Sequence, residues 1–242
     1  MTQLKYHTFR NHKIAYKFIK RTKKTIVFIH GLKSDMTGKK SLFLDEYCKN
    51  NGYSYLAFDC RGHGKSSGIF EELSIKDWFD DLKRIIKYLK IDKHIILIGS
   101  SMGGWLGCLY ALYNPKKIEK LIGLAPAPDF TEKLIWKNLS IANKLKIKKN
   151  KLVKINVSKN FQYVYSKNLI YKSRGLLLNK IKKIYKKEVV FIHGSEDKSV
   201  PFTYNNNLLK TNQFRNLKIK IIKGEDHSLS TKNALNFLKD NI

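Results

Sequence analysis

Two stretches near the start of the chain, residues 4–9 and 13–18, alternate apolar and polar side chains on either side of a polar turn and predict an opening β-hairpin. Beyond residue 24 the pattern changes. Short, nearly continuous apolar runs at 25–29, 54–58, 94–98, 121–124, 189–192 and 217–222 suit strands covered on both faces. Stretches with helical spacing lie between most of them, at 41–50, 75–89, 102–113, 202–210 and 231–238. Strands and helices in alternation predict a doubly wound α/β architecture built on a mostly parallel sheet. Residues 128–184 interrupt it, being longer than one crossover needs, with apolar positions at irregular helical spacing. They predict a small, mainly helical cap inserted into a single domain that spans residues 1–242.

The apolar run at 94–98 ends in Gly99-Ser100-Ser101-Met102-Gly103-Gly104, and helical spacing resumes at Trp105. A Gly-x-Ser-x-Gly between strand and helix has the form of a nucleophile elbow, which needs small residues two before and two after the serine because the turn is strained and crowded by neighbouring backbone. Ser101 is therefore the candidate nucleophile, and Ser100 has no elbow of its own. A serine at its free pKa is a poor nucleophile, so it needs a base and a third group that orients the base. The expected order is Ser, then Asp or Glu, then His, each partner in a loop after a late strand. Gly194-Ser195-Glu196-Asp197 follows the run at 189–192, and Gly224-Glu225-Asp226-His227 follows the run at 217–222. Asp197 is the candidate acid, with Glu196 as its neighbour and competitor, and His227 is the candidate base. The oxyanion of a tetrahedral intermediate needs two backbone N–H donors, one after the nucleophile and one from the loop after the third strand, here Met102 and Leu32. His30 and the glycine-rich segment from Asp59 to Ser66, with His63, are expected to be scaffold.

Composition narrows the class further. Four prolines, 14 glycines and no low-complexity run leave no flexible linker. Residues 1–20 gather no signal-peptide h-region and no run approaches a membrane span, so a soluble, cytoplasmic protein is expected. Cys48, Cys60 and Cys108 are odd in number and scattered, which predicts neither a disulfide framework nor a metal site. Lysine and arginine number 48 against 19 acidic residues, a net charge of +29. Much of that excess fits an AT-rich codon usage, which would also enrich Asn and Ile. It is nevertheless concentrated: residues 144–187 hold 15 Lys or Arg and no Asp or Glu. Such a field beside the active face favours an anionic substrate and weak association with an anionic membrane surface.

With these residues placed, the chain resembles the α/β-hydrolase superfamily over nearly its whole length. The segments 30–38, 99–106 and 124–132 resemble a bacterial and mitochondrial group within it, which includes a palmitoyl-protein thioesterase that also hydrolyses acyl glucuronides. The resemblance implies a serine esterase or thioesterase acting on a small-molecule acyl ester or thioester, with no metal and no organic cofactor. It places the nucleophile at Ser101, the acid at Asp197 and the base at His227. No specific nucleic-acid partner is expected. A peptidase or carbon-carbon bond hydrolase on the same scaffold is the enzymatic alternative, and a non-catalytic basic binding protein the alternative of another class.

Overall fold

The computed structural model describes residues 3–21, 24–158 and 161–242. Its strands are, in chain order, β1 (Lys5–Phe9), β2 (His12–Ile19), β3 (Thr25–Ile29), β4 (Ser54–Phe58), β5 (Ile95–Ser100), β6 (Ile118–Leu124), β7 (Val153–Ser158), β8 (Phe161–Tyr165), β9 (Tyr185–Gly194) and β10 (Phe214–Ile222). Eight of them form one sheet in the order β1-β2-β4-β3-β5-β6-β9-β10. β1, β2 and β4 pair antiparallel, and every pairing from β4 to β10 is parallel. The helices are α1 (Lys39–Asn51), α2 (Ile75–Tyr88), α3 (Met102–Tyr113), α4 (Ile141–Lys148), α5 (Lys167–Tyr171), α6 (Asn206–Leu209) and α7 (Lys232–Lys239).

The continuous apolar runs are explained by cover on both faces. On β3, Ile26 and Phe28 pack with Leu44 and Cys48 of α1 and Ala234 and Leu238 of α7, whereas Val27 and Ile29 pack with Trp78 and Leu82 of α2 and Trp105 of α3. Alternate side chains of one strand thus enter opposite cores, so neither face can be polar. β6, β9 and β10 begin three or four residues earlier than their apolar runs, with polar residues such as Glu119, Lys120 and Arg215 at their starts. Each of these strands starts on a buried side chain, Ile118, Tyr185 or Phe214, and two or three polar residues then separate it from the apolar run. Residues 202–210 do not form one helix: a 3-10 turn, Phe202–Asn205, precedes the single turn of α6. Asn205 is the reason, since its amide donates to the Pro126 carbonyl at 2.8 Å and approaches His193 Nε2 at 3.1 Å, holding the segment against the sheet.

Residues between β6 and β9 leave the sheet and cover its carboxyl edge. They are helical at both ends, with a π-helical turn at Thr131–Trp136, then α4, and later α5 and short 3-10 turns. Between α4 and α5 runs the antiparallel hairpin β7-β8, which the helical reading of this segment did not anticipate. Its signal is the period-two pattern Val153, Ile155, Val157 and Phe161, Tyr163, Tyr165. Arg174 ties the segment together by gripping Glu132 at 2.8 and 3.1 Å, and Asp129 accepts the Leu178 amide at 2.8 Å. Among the described residues no helix is long and apolar enough to cross a membrane.

The elbow joins β5 to α3 under tight constraint. A Cβ on Gly103 would lie 2.2 Å from the Ile29 carbonyl oxygen and 2.7 Å from that of His30. Both obstacles are backbone, so they cannot swing away. Gly103→Ala is expected to cost about 3 kcal/mol or more in urea unfolding. Gly175→Ala, whose Cβ would meet nothing within 4 Å, should stay within about 0.5 kcal/mol of the parent. Equal effects of the two substitutions would contradict this account of the elbow.

Candidate active site

Ser101 occupies the cap position of α3 with φ 51° and ψ −111°, a conformation that a non-glycine residue holds only under constraint. Its amide donates to the Leu124 carbonyl at 2.9 Å, and its own carbonyl accepts from Gly104 and Ala127 at 2.9 and 3.1 Å. Both neighbours of the turn are thereby fixed, and the hydroxyl projects from the strand end toward His227. His227 Nε2 lies 3.1 Å from Ser101 Oγ, and His227 Nδ1 lies 2.7 Å from Asp197 Oδ2. An ionised carboxylate only accepts, so Nδ1 donates to Asp197 and Nε2 is left to accept the serine proton.

Asp197 is buried and its second oxygen accepts the amides of Ser199 and Val200 at 2.9 and 2.8 Å. Burial pushes its pKa up, but the hydrogen bonds from His227 and from the Val200 and Ser199 amides outweigh it and hold the carboxyl below its ordinary value. Glu196, the local competitor, is exposed and takes a hydrogen bond from Ser195 at 3.2 Å instead. Ser100 ends β5, buried and paired in the ladder with Leu124.

Gly31 packs against the elbow, its hypothetical Cβ falling 3.5 Å from Ser101 Cβ, so the loop that carries Leu32 passes beside Ser101. Met102 is the first residue of α3, and amides of a first helical turn have no partner within the helix. Leu32 and Met102, the residues named for an oxyanion hole, both line a cavity at Ser101. His30 serves the scaffold: its Nε2 accepts the Cys60 amide at 3.0 Å. Asp59 accepts the amides of Met36 at 2.7 Å and Lys65 at 2.8 Å, knitting the loops after β3 and β4. Arg61 binds Asp81 of α2 at 2.7 Å. Burial drives the pKa of His63 down to about 3 and that of His193 to about 4, so both stay neutral beside the site.

Two cavities meet at Leu32, Ser101, Tyr163 and His227. One, of about 280 Å³, runs beneath the cap between Phe130, Leu134, Ile135, Ile155 and Tyr165. The other, of about 250 Å³, is polar and includes Lys40, Ser34, Ser228 and Ser230. A larger cleft of about 790 Å³ lies between the opening hairpin and α2 and contains none of these residues. Sequence reasoning missed Lys40 and the β7-β8 aromatics, because neither stands in a motif. Among the described residues no group of His, Cys, Asp or Glu is placed to hold a metal ion.

This sheet order, elbow and Ser-His-Asp line define a serine hydrolase of the α/β-hydrolase class. Comparison with known proteins agrees. The chain belongs to the Hydrolase_4 family, described as serine aminopeptidase S33, whose profile matches residues 20–173. A palmitoyl-protein thioesterase of Bos taurus mitochondria, ABHD10, is 41% identical over 116 residues, which are 48% of this chain and 38% of that protein. The chain thus aligns with well under half the length of this curated relative. The solved structure of mouse alpha/beta hydrolase domain-containing protein 10 superposes with a TM-score of 0.86 at 26% identity, covering 99% of this chain and 96% of that one. Est1E from Butyrivibrio proteoclasticus, solved with ferulic acid bound, shares the fold with a TM-score of 0.77 at 21% identity, covering 98% of each chain.

A fluorophosphonate probe followed by peptide mass spectrometry should label Ser101 and leave Ser100 unmodified. Asp197→Asn should retain the fold but lower kcat on the order of 10⁴-fold, because the imidazole loses its orienting acceptor. Glu196→Gln should leave kcat near the parent value. Reversal of these last two outcomes would reassign the acid.

Proposed function

We propose that the chain hydrolyses carboxylic ester or thioester bonds through an acyl-enzyme on Ser101, with His227 as general base and acid and Asp197 holding its tautomer. The observation that carries this reading is the hydrogen-bonded line from Ser101 through His227 to Asp197 at the mouth of an apolar cavity. Ser101 Oγ attacks the acyl carbon as its proton passes to His227 Nε2. The carbonyl oxygen becomes an oxyanion that the Leu32 and Met102 amides are positioned to bind, aided by the positive end of α3. Collapse expels the alcohol or thiol, which takes the proton from Nε2. Water then repeats the sequence, releasing the carboxylic acid and restoring Ser101.

The two cavities divide the substrate. Phe130, Leu134, Ile135 and Ile155 suit the acyl chain, and at about 280 Å³ the space is at the small end of ligand pockets. It accommodates a short or medium acyl group whole, whereas a long chain must emerge past the cap. The polar cavity takes the leaving group. Lys40 donates there to the Ser228 carbonyl and, at 3.3 Å, to Ser230 Oγ. Three ammonium donors against two acceptors leave one for a substrate anion. The thioesterase name of the bovine relative supports this reading. The family's aminopeptidase description favours a second one, but the described lining of the apolar cavity includes no Asp or Glu to receive a substrate ammonium.

p-Nitrophenyl acetate, butyrate, octanoate and palmitate, with matching acyl thioesters, test the acyl side. Butyryl and octanoyl donors should give the highest kcat/KM, Ser101→Ala should abolish turnover, and Ile135→Trp should shift the optimum toward acetyl. Faster cleavage of aminoacyl amides than of any ester would establish the peptidase reading instead.

Lys40 provides a pH test. Burial pulls its ammonium down to about 8, against the opposing pull of Asp226. A lysine loses its charge as pH rises through its pKa. The ratio of kcat/KM for an anionic over a neutral ester of the same acyl group should therefore fall as pH rises through about 8. Asp35 and His227 share the cavity and act on both substrates, so taking the ratio isolates the leaving-group charge. Lys40→Met should lower the ratio and flatten its pH dependence; an unchanged ratio would remove Lys40 from leaving-group recognition.

A further inference from the structure

The tip of the cap holds aliphatic side chains in water. On α4, Ile141 is 78% exposed and Leu145 49%, and Leu152, just beyond the helix, is 47% exposed. Ile141 and Leu145 are four residues apart, which puts them on one face of the helix. On α4 only Ile147 is buried. Scattered exposed apolar residues are ordinary, but a contiguous group on one short segment is not.

The charges around them are of one sign. Lys146, Lys148, Lys149, Lys151 and Lys154 are exposed between and beside these aliphatics. No Asp or Glu occurs anywhere from residue 144 to residue 187 to neutralise them within the segment. The ion pairs that hold the cap together, Arg174 with Glu132 and Lys133 with Asp129, lie outside this tip. Leu152 leads directly into β7, and Ile155 of that strand lines the apolar cavity beside Ser101.

We propose that this tip docks on an anionic lipid surface, with Ile141, Leu145 and Leu152 entering the interface and the surrounding lysines meeting the headgroups. Each half of the pattern needs the other. Lysines near an anionic bilayer contribute to binding one by one, and shallow burial of aliphatic side chains turns a screened attraction into a positioned one. A single-stranded nucleic acid would also attract the lysines, but it binds by stacking on aromatic rings, and Ile141, Leu145 and Leu152 are aliphatic side chains without rings. Docking in this orientation brings the β7-β8 hairpin and the cavity behind it toward the bilayer. Binding does not depend on the chemistry proposed for Ser101.

The test is co-sedimentation of the full chain with phosphatidylcholine vesicles, with and without phosphatidylserine, at about 0.1 M and about 1 M salt, over which the Debye length falls from about 10 to about 3 Å. Binding should require phosphatidylserine and weaken with salt. Lys146→Glu and Lys149→Glu should each reduce partitioning by about fivefold or more. Ile141→Ser with Leu145→Ser should reduce it on the order of tenfold or more while leaving the charge unchanged. Leu152→Ser is a second apolar probe, and thermal melting checks that each variant folds as the parent does. Equal binding to both vesicle types, no binding to either, or native binding by the apolar variants would overturn the proposal. So would tight binding of single-stranded RNA that ignores the apolar substitutions and displaces the protein from vesicles. Fluorophosphonate labelling of Ser101 in the same samples reports the catalytic reading separately.

Discussion

Everything that aims chemistry at a substrate in this molecule depends on one strained residue. Ser101 sits at φ 51° and ψ −111°, a conformation worth about 1–3 kcal/mol of strain that persists only when surrounding structure over-determines it. The surroundings are backbone. A side chain on Gly99 would meet the Gly103 carbonyl oxygen at 2.2 Å, and one on Gly103 would meet the Ile29 carbonyl at the same distance. The elbow is therefore wedged between its own helix and the end of β3. Gly31 lies beside it, where a Cβ would come 3.5 Å from Ser101 Cβ.

Electrostatics then divide the labour among residues that look alike in sequence. Asp197 stays ionised despite burial because His227 and two amides bind it, whereas Asp81, fully buried against Arg61, has its pKa raised by burial to about 6. His227 keeps contact with both Ser101 and Asp197, whereas burial holds His30, His63 and His193 neutral. Three neutral histidines around His227 keep additional positive charge away from its hydrogen bonds to Ser101 and Asp197. They also support it, since His30 binds the Cys60 amide and His193 meets Asn205 beneath the loop after β6.

The legible parts of the sequence are those where covalent geometry leaves little choice. Gly99, Ser101 and Gly103 stand at a spacing that only a crowded strand-to-helix turn requires, and Asp197 and His227 follow late apolar runs in the order the sheet imposes. The central strands were equally plain, because two covered faces demand unbroken apolar runs. What was hidden follows other rules. The β7-β8 hairpin lies in a segment whose lysines mask a period-two pattern. Asn205 breaks an expected helix through a contact made in three dimensions. Lys40 is one lysine among many, and only the fold brings it from the start of α1 to the loop after His227.

That contrast explains why mechanism and specificity are written differently along this chain. Ser101, Asp197 and His227 follow the ends of strands in a sheet fixed by two cores, so their positions tolerate little variation. The cap hangs from β6 and β9, is tied within itself by Arg174 with Glu132 and by Asp129 with the Leu178 amide, and is held to the body by Ser173 Oγ, which accepts the Ile75 amide, and by Gln213, which donates to the Leu178 and Ile181 carbonyls. Its inner surface, with Phe130, Ile135, Ile155 and Tyr165, lines the apolar cavity, and of these Phe130 also packs edge-on against Trp105 of α3. Its outer surface is freer, which is where an excess of lysine can accumulate at little cost to folding. A surface that bears neither the elbow nor the strand ends can thus vary in charge while Ser101 beneath it keeps its strained conformation.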